Sequence, residues 1–265
     1  MASSLNADNG VISGSSGLKS TADSSGVLAL QTNGTTAITL DTSQNATFAA
    51  AASVTGNLTA PKHIYTSASL GTASAGTSEY NGTSLYFTPS GTQRGVVPGM
   101  QYFMLNSTLG LALTSSTILP WLGVGVTLSS NTIYAFDAVY ATSKPAGGTG
   151  HQLTTGFGGT ATLNAINYFM TSAYDNTGFG QPNDPVIGTY FQTASQVTIS
   201  SSNTGVIYYT RRMTGTVSVA TGGTFIPQAS QTTATSYTYT TAVGSYFLIY
   251  PIGPAGSNVS VGTWA

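Results

Sequence analysis

From Met213 to Ala265 not one side chain carries a formal charge, although apolar and hydroxyl residues alternate through much of the stretch. The outer face of a water-exposed strand is usually polar or charged, so an uncharged run of this length belongs to a core or to a contact between chains. The scarcity extends over the whole chain, which has six Lys and Arg and seven Asp and Glu in 265 residues, 5% charged against about 25% in an average globular protein. Its surface is therefore wetted by Ser, Thr, Asn, Gln and Gly, or hidden by assembly. That palette suits strands and turns and is poor in helix interiors, so an all-β fold is expected. A net charge of −1 leaves little repulsion between copies and permits close self-association.

Several function classes are disfavoured on the same grounds. Fifteen Tyr, ten Phe and 40% hydrophobic residues are too many for a disordered chain of low net charge. Six scattered cations with one adjacent pair offer little for phosphate neutralisation, so nucleic acid is not an expected partner. The longest apolar run, residues 246–252, is far shorter than the roughly 18 residues of a membrane span, and no membrane insertion is expected. The opening residues have neither a basic n-region nor an apolar h-region, so the expected place of synthesis is a cytoplasm. With no cysteine there is no disulfide or thiolate chemistry, and stability must come from packing or assembly.

Residues 1–60 read as a small-residue-rich segment carrying one clear hairpin: two short apolar runs, 26–30 and 37–41, flank Asn33 and Gly34. A strict two-residue loop would pair Thr32 with Thr35 and set Leu28 and Leu30 on the face opposite Ile38 and Leu40. One more loop residue pairs Leu30 with Ile38 and Leu28 with Leu40, which makes a single apolar face, so a three-residue Gly-bulged turn is predicted. A lone hairpin is marginal in water, so this face needs a partner, and three copies about an axis would supply it. Residues 45–59 fit a strand or a short Ala-rich helix equally well. Residues 61–99 read as a linker with some strand, including a hairpin signal at 80–83. From 100 to 265 the chain becomes a series of strand candidates at 100–105, 124–128, 132–140, 163–174, 190–200, 205–213, 216–220, 224–230, 236–243 and 245–250. Short strands with frequent turn signals indicate an antiparallel β-sandwich.

Within 132–140, alternation puts Tyr134, Phe136 and Tyr140 on one face and Ile133, Ala135, Asp137 and Val139 on the other, so both faces should be covered. In 206–213 it separates Arg212, with Tyr208 and Thr210, from Arg211, with Ile207, Tyr209 and Met213. One arginine must then face inward or into an interface. The pair has two readings, a ring of arginines near a symmetry axis that meets Asp137 or Glu79 or an anion, and a plain couple of one exposed and one salt-bridged residue.

Chemistry-bearing residues are few. His63 and His151 are the only imidazoles, and no nucleophile elbow accompanies them, so His151 reads as a surface or turn residue. Asp137, Asp175, Asp184 and Glu79 are the carboxylates a glycan hydrolase would need, but no spacing brings two together. The loop 175–184 lacks the ordered acids of a calcium loop and reads as Asx turns. No phosphate-binding glycine motif occurs in a suitable context. Tyr174, Phe179 and Trp264 are loop aromatics that suit sugar stacking or, more simply, packing. No catalytic residue, metal or cofactor is expected.

Residues 24–48 (SSGVLALQTNGTTAITLDTSQNATF), followed by 54–59 (VTGNLT), resemble the N-terminal segment of virion proteins of tailed bacteriophages, especially fibre-like ones. The segments 76–80 (GTSEY), 94–98 (RGVVP), 223–228 (GTFIPQ), 245–247 (SYF) and 262–264 (GTW) resemble the downstream part of the same proteins. The resemblance implies a homotrimer with an N-terminal anchor and a jelly-roll-like sandwich. It carries over no catalytic residues, and the chain departs from long fibres in lacking a repetitive shaft.

The expectation is thus an all-β homotrimer in three parts: 1–60, an anchor and trimerisation segment; 61–99, a linker; and 100–265, a jelly-roll-like sandwich. Its interface would draw on Leu28, Leu30, Ile38, Leu40, Arg211 and Arg212. The expected function is that of a structural virion protein, made in the host cytoplasm, forming a fibre or spike that binds rather than catalyses. Its partners would be itself, a capsid or tail protein and a host surface glycan or receptor. The alternatives are a capsid decoration protein and, from another class, a host-glycan hydrolase.

Overall fold

The computed structural model describes residues 27–32, 35–55, 57–60, 62–175, 178, 187–200, 202–256 and 264. They contain strands, turns and irregular backbone and no helix, in two compact units, residues 1–63 and 64–265.

In the first unit β1 (Leu28–Thr32), β2 (Thr35–Leu40) and β3 (Ala46–Phe48) form an antiparallel sheet in that order. Leu30 pairs with Ile38 and Leu28 with Leu40, the register that makes one apolar face. The expected means is corrected. Thr32 still pairs with Thr35, so the loop keeps two residues, Asn33 and Gly34, which lie outside the described residues. The extra residue is instead Ala37, skipped where Gln31 pairs with Thr36 and Leu30 with Ile38. A bulge inside β2 thus does what a longer loop would have done, because one inserted residue reverses the side-chain parity beyond it. Residues 46–48 resolve to strand: Phe48 pairs with Ile38 and Ala46 with Leu40. Asp41 fixes the turn between β2 and β3, its carboxylate accepting from the Asn45 side chain and from the Ser43 and Asn45 backbone N–H groups, all at 2.9 Å. The Asn45 side chain, with these backbone donors, holds the Asp41 carboxyl below its usual value.

In the second unit β4 (Ser78–Tyr80), β5 (Leu85–Phe87) and β6 (Gly95–Val97) form a small antiparallel sheet. Asn81 closes the β4–β5 turn by accepting from the backbone N–H groups of Thr83 and Ser84. Glu79 joins the sheet to the chain before it: Arg94 Nη2 donates to its Oε2 at 2.5 Å and to the Gly71 carbonyl at 2.7 Å, while Gly71 N–H donates to Glu79 Oε1.

The rest is a β-sandwich of two antiparallel sheets. At the centre of the larger lie β11 (Thr132–Lys144), β13 (Thr162–Asp175) and β16 (Ile207–Thr221), with β16 paired to β13 on one side and to β11 on the other. Beyond β13 lies β14 (Ile187–Phe191). The far edge of β11 is shared by β19 (Tyr246–Pro254) and β18 (Tyr237–Thr241), which lead to β7 (Gln101–Met104) and β8 (Leu109–Leu113). The smaller sheet centres on β17 (Gly223–Gln231), paired with β12 (Leu153–Gly158), β10 (Val126–Leu128) and β9 (Leu119–Pro120), with β15 (Val197–Thr198) outside β12.

Every second residue of β11, from Thr132 through Tyr134, Phe136, Ala138, Tyr140 and Thr142 to Lys144, is buried, and the intervening residues are partly covered. Phe136 anchors the core, its ring 5.4 Å from Phe157 and 5.8 Å from Phe247, while Phe157 stacks on Phe225 at 4.7 Å. Trp121 is fully buried, stacks on Tyr140 at 5.3 Å and donates its indole N–H to Thr155 Oγ1 at 2.9 Å. The uncharged stretch from Met213 supplies more than half of β16 and all of β17, β18 and β19, so much of it is core.

Three departures from the expected strands share a cause in glycine. Residues 205–213 and 216–220 are one strand, because Gly215 sits between Phe136 and Tyr168 in the ladder and makes room for their side chains rather than a turn. A Cβ there would lie 2.2 Å from the Asn167 carbonyl oxygen. β8 and β12, which contain Gly110 and Gly156, are strands that were not among the expected ones. Residues 190–200 divide into β14 and β15, and β11 continues four residues past Tyr140.

Candidate functional site

The six residues expected at a trimer interface fall in two places. Leu28, Leu30, Ile38 and Leu40 share one face of the first unit's sheet, and Phe48 joins them. Leu30 is 40% exposed, Leu40 37% and Phe48 48%. Covering such a side chain completely stabilises by up to about 1.5–3 kcal/mol, so a face of five has several kcal/mol available to a partner surface.

The arginines are divided by strand alternation. Arg212 points outward from β16, and its Nε donates to Asp137 Oδ1 at 2.8 Å, while the Tyr246 hydroxyl donates to Asp137 Oδ2 at 2.7 Å. The carboxylate holds the guanidinium and the phenol above their usual values. Arg211 points inward and is 1% exposed. Its own chain encloses it, and none of its three guanidinium nitrogens has a hydrogen-bond partner. The expected couple of one exposed and one salt-bridged arginine is therefore corrected: the exposed arginine is also the salt-bridged one, and its neighbour is a buried cation with no buried carboxylate beside it among the described residues.

Around Arg211 the sandwich interior turns polar. Tyr140 on β11 and Ser172 on β13 are its register partners, and its Cζ lies 3.9 Å from the centroid of the Tyr209 ring. Thr142 is paired with Tyr209 and with Thr241 of β18. The hydroxyls of Tyr140, Thr142, Tyr239 and Thr241 are buried without hydrogen-bond partners. Burial pulls the Arg211 guanidinium down to about 10, which leaves it charged at neutral pH, and pushes the Tyr140 and Tyr239 phenols up. A desolvated cation–π contact contributes about 2 kcal/mol, against several kcal/mol for taking an ion out of water. The Tyr209 ring alone does not compensate the charge.

Two more basic groups lie at this end. Lys144 is buried, with Nζ donating to the Gly205 carbonyl at 2.8 Å and facing the Pro145 carbonyl at 3.4 Å, and burial lowers its pKa. His151, expected as a surface or turn residue, is fully buried. It stacks on Tyr237 at 4.0 Å, and with Nδ1 protonated it donates to the Thr149 carbonyl at 3.0 Å. Burial lowers its pKa, offset in part by the Thr149 carbonyl. Among the described residues no Asp or Glu is buried.

The other candidates are scattered. Glu79 is paired with Arg94 in the small sheet and Asp137 with Arg212 on the outer face of β11. Asp184, Phe179 and the side chains of Tyr174 and Asp175 lie outside the described residues. His63 and Trp264 are exposed. No group of three metal-ligating side chains occurs among the described residues, and no helix among them is long and apolar enough to cross a membrane. Sequence reasoning missed the hydroxyl cluster around Arg211. Its signal was the parity of Tyr140, Thr142 and Lys144, hidden because β11 was expected to end at Tyr140.

No protein-family model matches the chain, and no curated protein matches it. Among solved structures, the crystal structure of infectious bursal disease virus VP2 subviral particle aligns at 9% identity and a TM-score of 0.20, covering 60% of this chain and 43% of that one. The structure of infectious bursal disease virus Gx strain aligns at 9% identity over the same shares with a TM-score of 0.12. The chain spans less than half the length of either, and likeness at these scores assigns no function.

Proposed function

We propose that this chain is a structural virion protein of a tailed bacteriophage: a homotrimeric fibre- or spike-type appendage, held to the particle by residues 1–60 and displaying its jelly-roll-like sandwich outward. Its work is binding to a capsid or tail protein at one end and to a host surface glycan or receptor at the other. It has no catalytic role and resides in the virion.

One observation carries this reading. The first unit's sheet gathers Leu28, Leu30, Ile38, Leu40 and Phe48 on one face and leaves them partly exposed. Covering an exposed apolar sheet face stabilises it, and three copies about an axis do this with identical contacts. The fibre-like resemblance of residues 24–48 and 54–59 points the same way. In the second unit, β7 presents exposed Tyr102, Phe103 and Met104 beside Met100, an apolar edge suited to a further contact between copies.

Light scattering of the purified protein tests the proposal. Three chains of 27.0 kDa make a particle of about 81 kDa, expected to resist SDS until boiled. Replacing Leu30 and Ile38 together by Asp puts charges in the middle of the face and is expected to return the protein to 27.0 kDa. A wild-type monomer at micromolar concentration overturns the reading. Copy number on the particle then separates a fibre from a head decoration.

A further inference from the structure

We propose that the polar end of the sandwich interior is a binding site for a small monovalent inorganic anion of the halide class, held by the Arg211 guanidinium and the hydroxyls of Tyr140, Thr142, Tyr239 and Thr241. The site is independent of the virion reading.

The argument begins with charge. Arg211 is enclosed by its own chain, its Nε, Nη1 and Nη2 make no hydrogen bond to protein, and no carboxylate among the described residues is buried with it. Guanidinium nitrogens only donate, so the group needs an acceptor, and a buried cation needs a negative charge. The surrounding hydroxyls supply the rest of an anion's shell. Tyr140 is the register partner of Arg211 on β11, Thr142 follows two residues later on the same buried face, and Thr241 pairs with Thr142. Tyr239 lies two residues from Thr241 on the same face of β18 and is close enough to interact electrostatically with Arg211. Each of these four hydroxyls is buried and unpartnered, and each can donate.

The ligand class follows from what the neighbouring groups already do. Lys144 donates its Nζ to the carbonyls of Gly205 and Pro145, and burial lowers the pKa of His151, so Arg211 is the buried cation whose donors have no acceptor. One charge and four neutral donors match a monovalent ion. A phosphate dianion would remain under-neutralised. A cavity of about 350 Å³ lies beside this region, lined by Ser172 and Tyr209, which flank Arg211, together with Met170, Phe191, Ile207 and Gln152; Arg211 and the four hydroxyl residues are not part of its lining.

The full chain is purified into sodium gluconate and titrated with sodium bromide at constant ionic strength while thermal unfolding is followed. A ligand bound only by the folded state raises the melting temperature with the logarithm of its concentration, here by about 5 °C over a hundredfold in bromide. Arg211→Met, of similar length and uncharged, is expected to abolish the rise. Tyr239→Phe, which removes one donor and keeps the ring, is expected to weaken bromide binding about tenfold. Crystals grown in bromide give a test that needs no variant: an anomalous peak within hydrogen-bond distance of the Arg211 guanidinium supports the site. Water alone on that guanidinium at 0.5 M bromide, or a bromide response unchanged in Arg211→Met, overturns it.

Discussion

The imidazole of His151 lies flat on the Tyr237 ring and edge-on to Tyr239, with its Nδ1 tied to the Thr149 carbonyl. Burial keeps its folded-state pKa below 6.5, whereas the unfolded chain titrates near that value. As pH falls through 6.5 the unfolded state takes up a proton that the folded state does not, so this contribution to stability is present above 6.5 and is lost progressively below it. The melting temperature is expected to fall between pH 7.5 and 5.5, and His151→Gln to flatten that fall; equal slopes for the two proteins would remove His151 as the cause. The same burial explains why no sequence pattern marked this residue. A histidine after Gly147, Gly148 and Gly150 reads as a turn, and the partner that covers it, Tyr237, is far along the chain.

β16 holds the sandwich's larger sheet together, and its weak point in sequence is its strong point in the fold. Gly215 lies opposite Phe136 on one side and Tyr168 on the other, and a Cβ there meets the Asn167 carbonyl and the Tyr168 Cβ at 2.2 and 2.5 Å. These atoms, with the Tyr168 Cα at 2.7 Å, belong to the paired stretch of β13, and laddered backbone cannot move away cheaply. Gly215→Ala is expected to destabilise by about 2–3 kcal/mol, in the upper range of overpacking costs, although alanine has the better intrinsic strand and helix behaviour. Chemical denaturation of the variant measures it, and a loss below about 0.5 kcal/mol, the usual range of neutral surface changes, would show that the ladder yields there. At this scale most of the fold was legible: the hydrophobic alternation of β11, β13, β16 and β19 is visible in the sequence. The register of β1 with β2 was also legible, since only one pairing puts four apolar side chains together. That Ala37 carries the shift was not, because a bulge and a longer loop give the same parity beyond them.

The two compact units, residues 1–63 and 64–265, have different needs. The second has a core of its own, built on Trp121, Phe136, Phe157, Phe225 and Phe247, whereas the first has a three-stranded sheet with its apolar face partly exposed. A chain of residues 64–265 is expected to unfold within a few degrees of the full protein and to lose the association proposed for the first sheet; melting followed by light scattering reads both. Loss of the cooperative transition would show that the sandwich depends on the first unit. Sequence by itself determined the all-β class, the apolar face of Leu28, Leu30, Ile38 and Leu40, and the separation of Arg211 from Arg212, because these depend on composition and on the two-residue period of a strand. Tertiary structure alone decided that Arg211 is enclosed with no buried carboxylate among the described residues, that Arg212 takes Asp137, and that His151 is buried. Those outcomes depend on which strands lie side by side and which side chains reach across them, and contacts between residues so distant in the chain leave no local pattern.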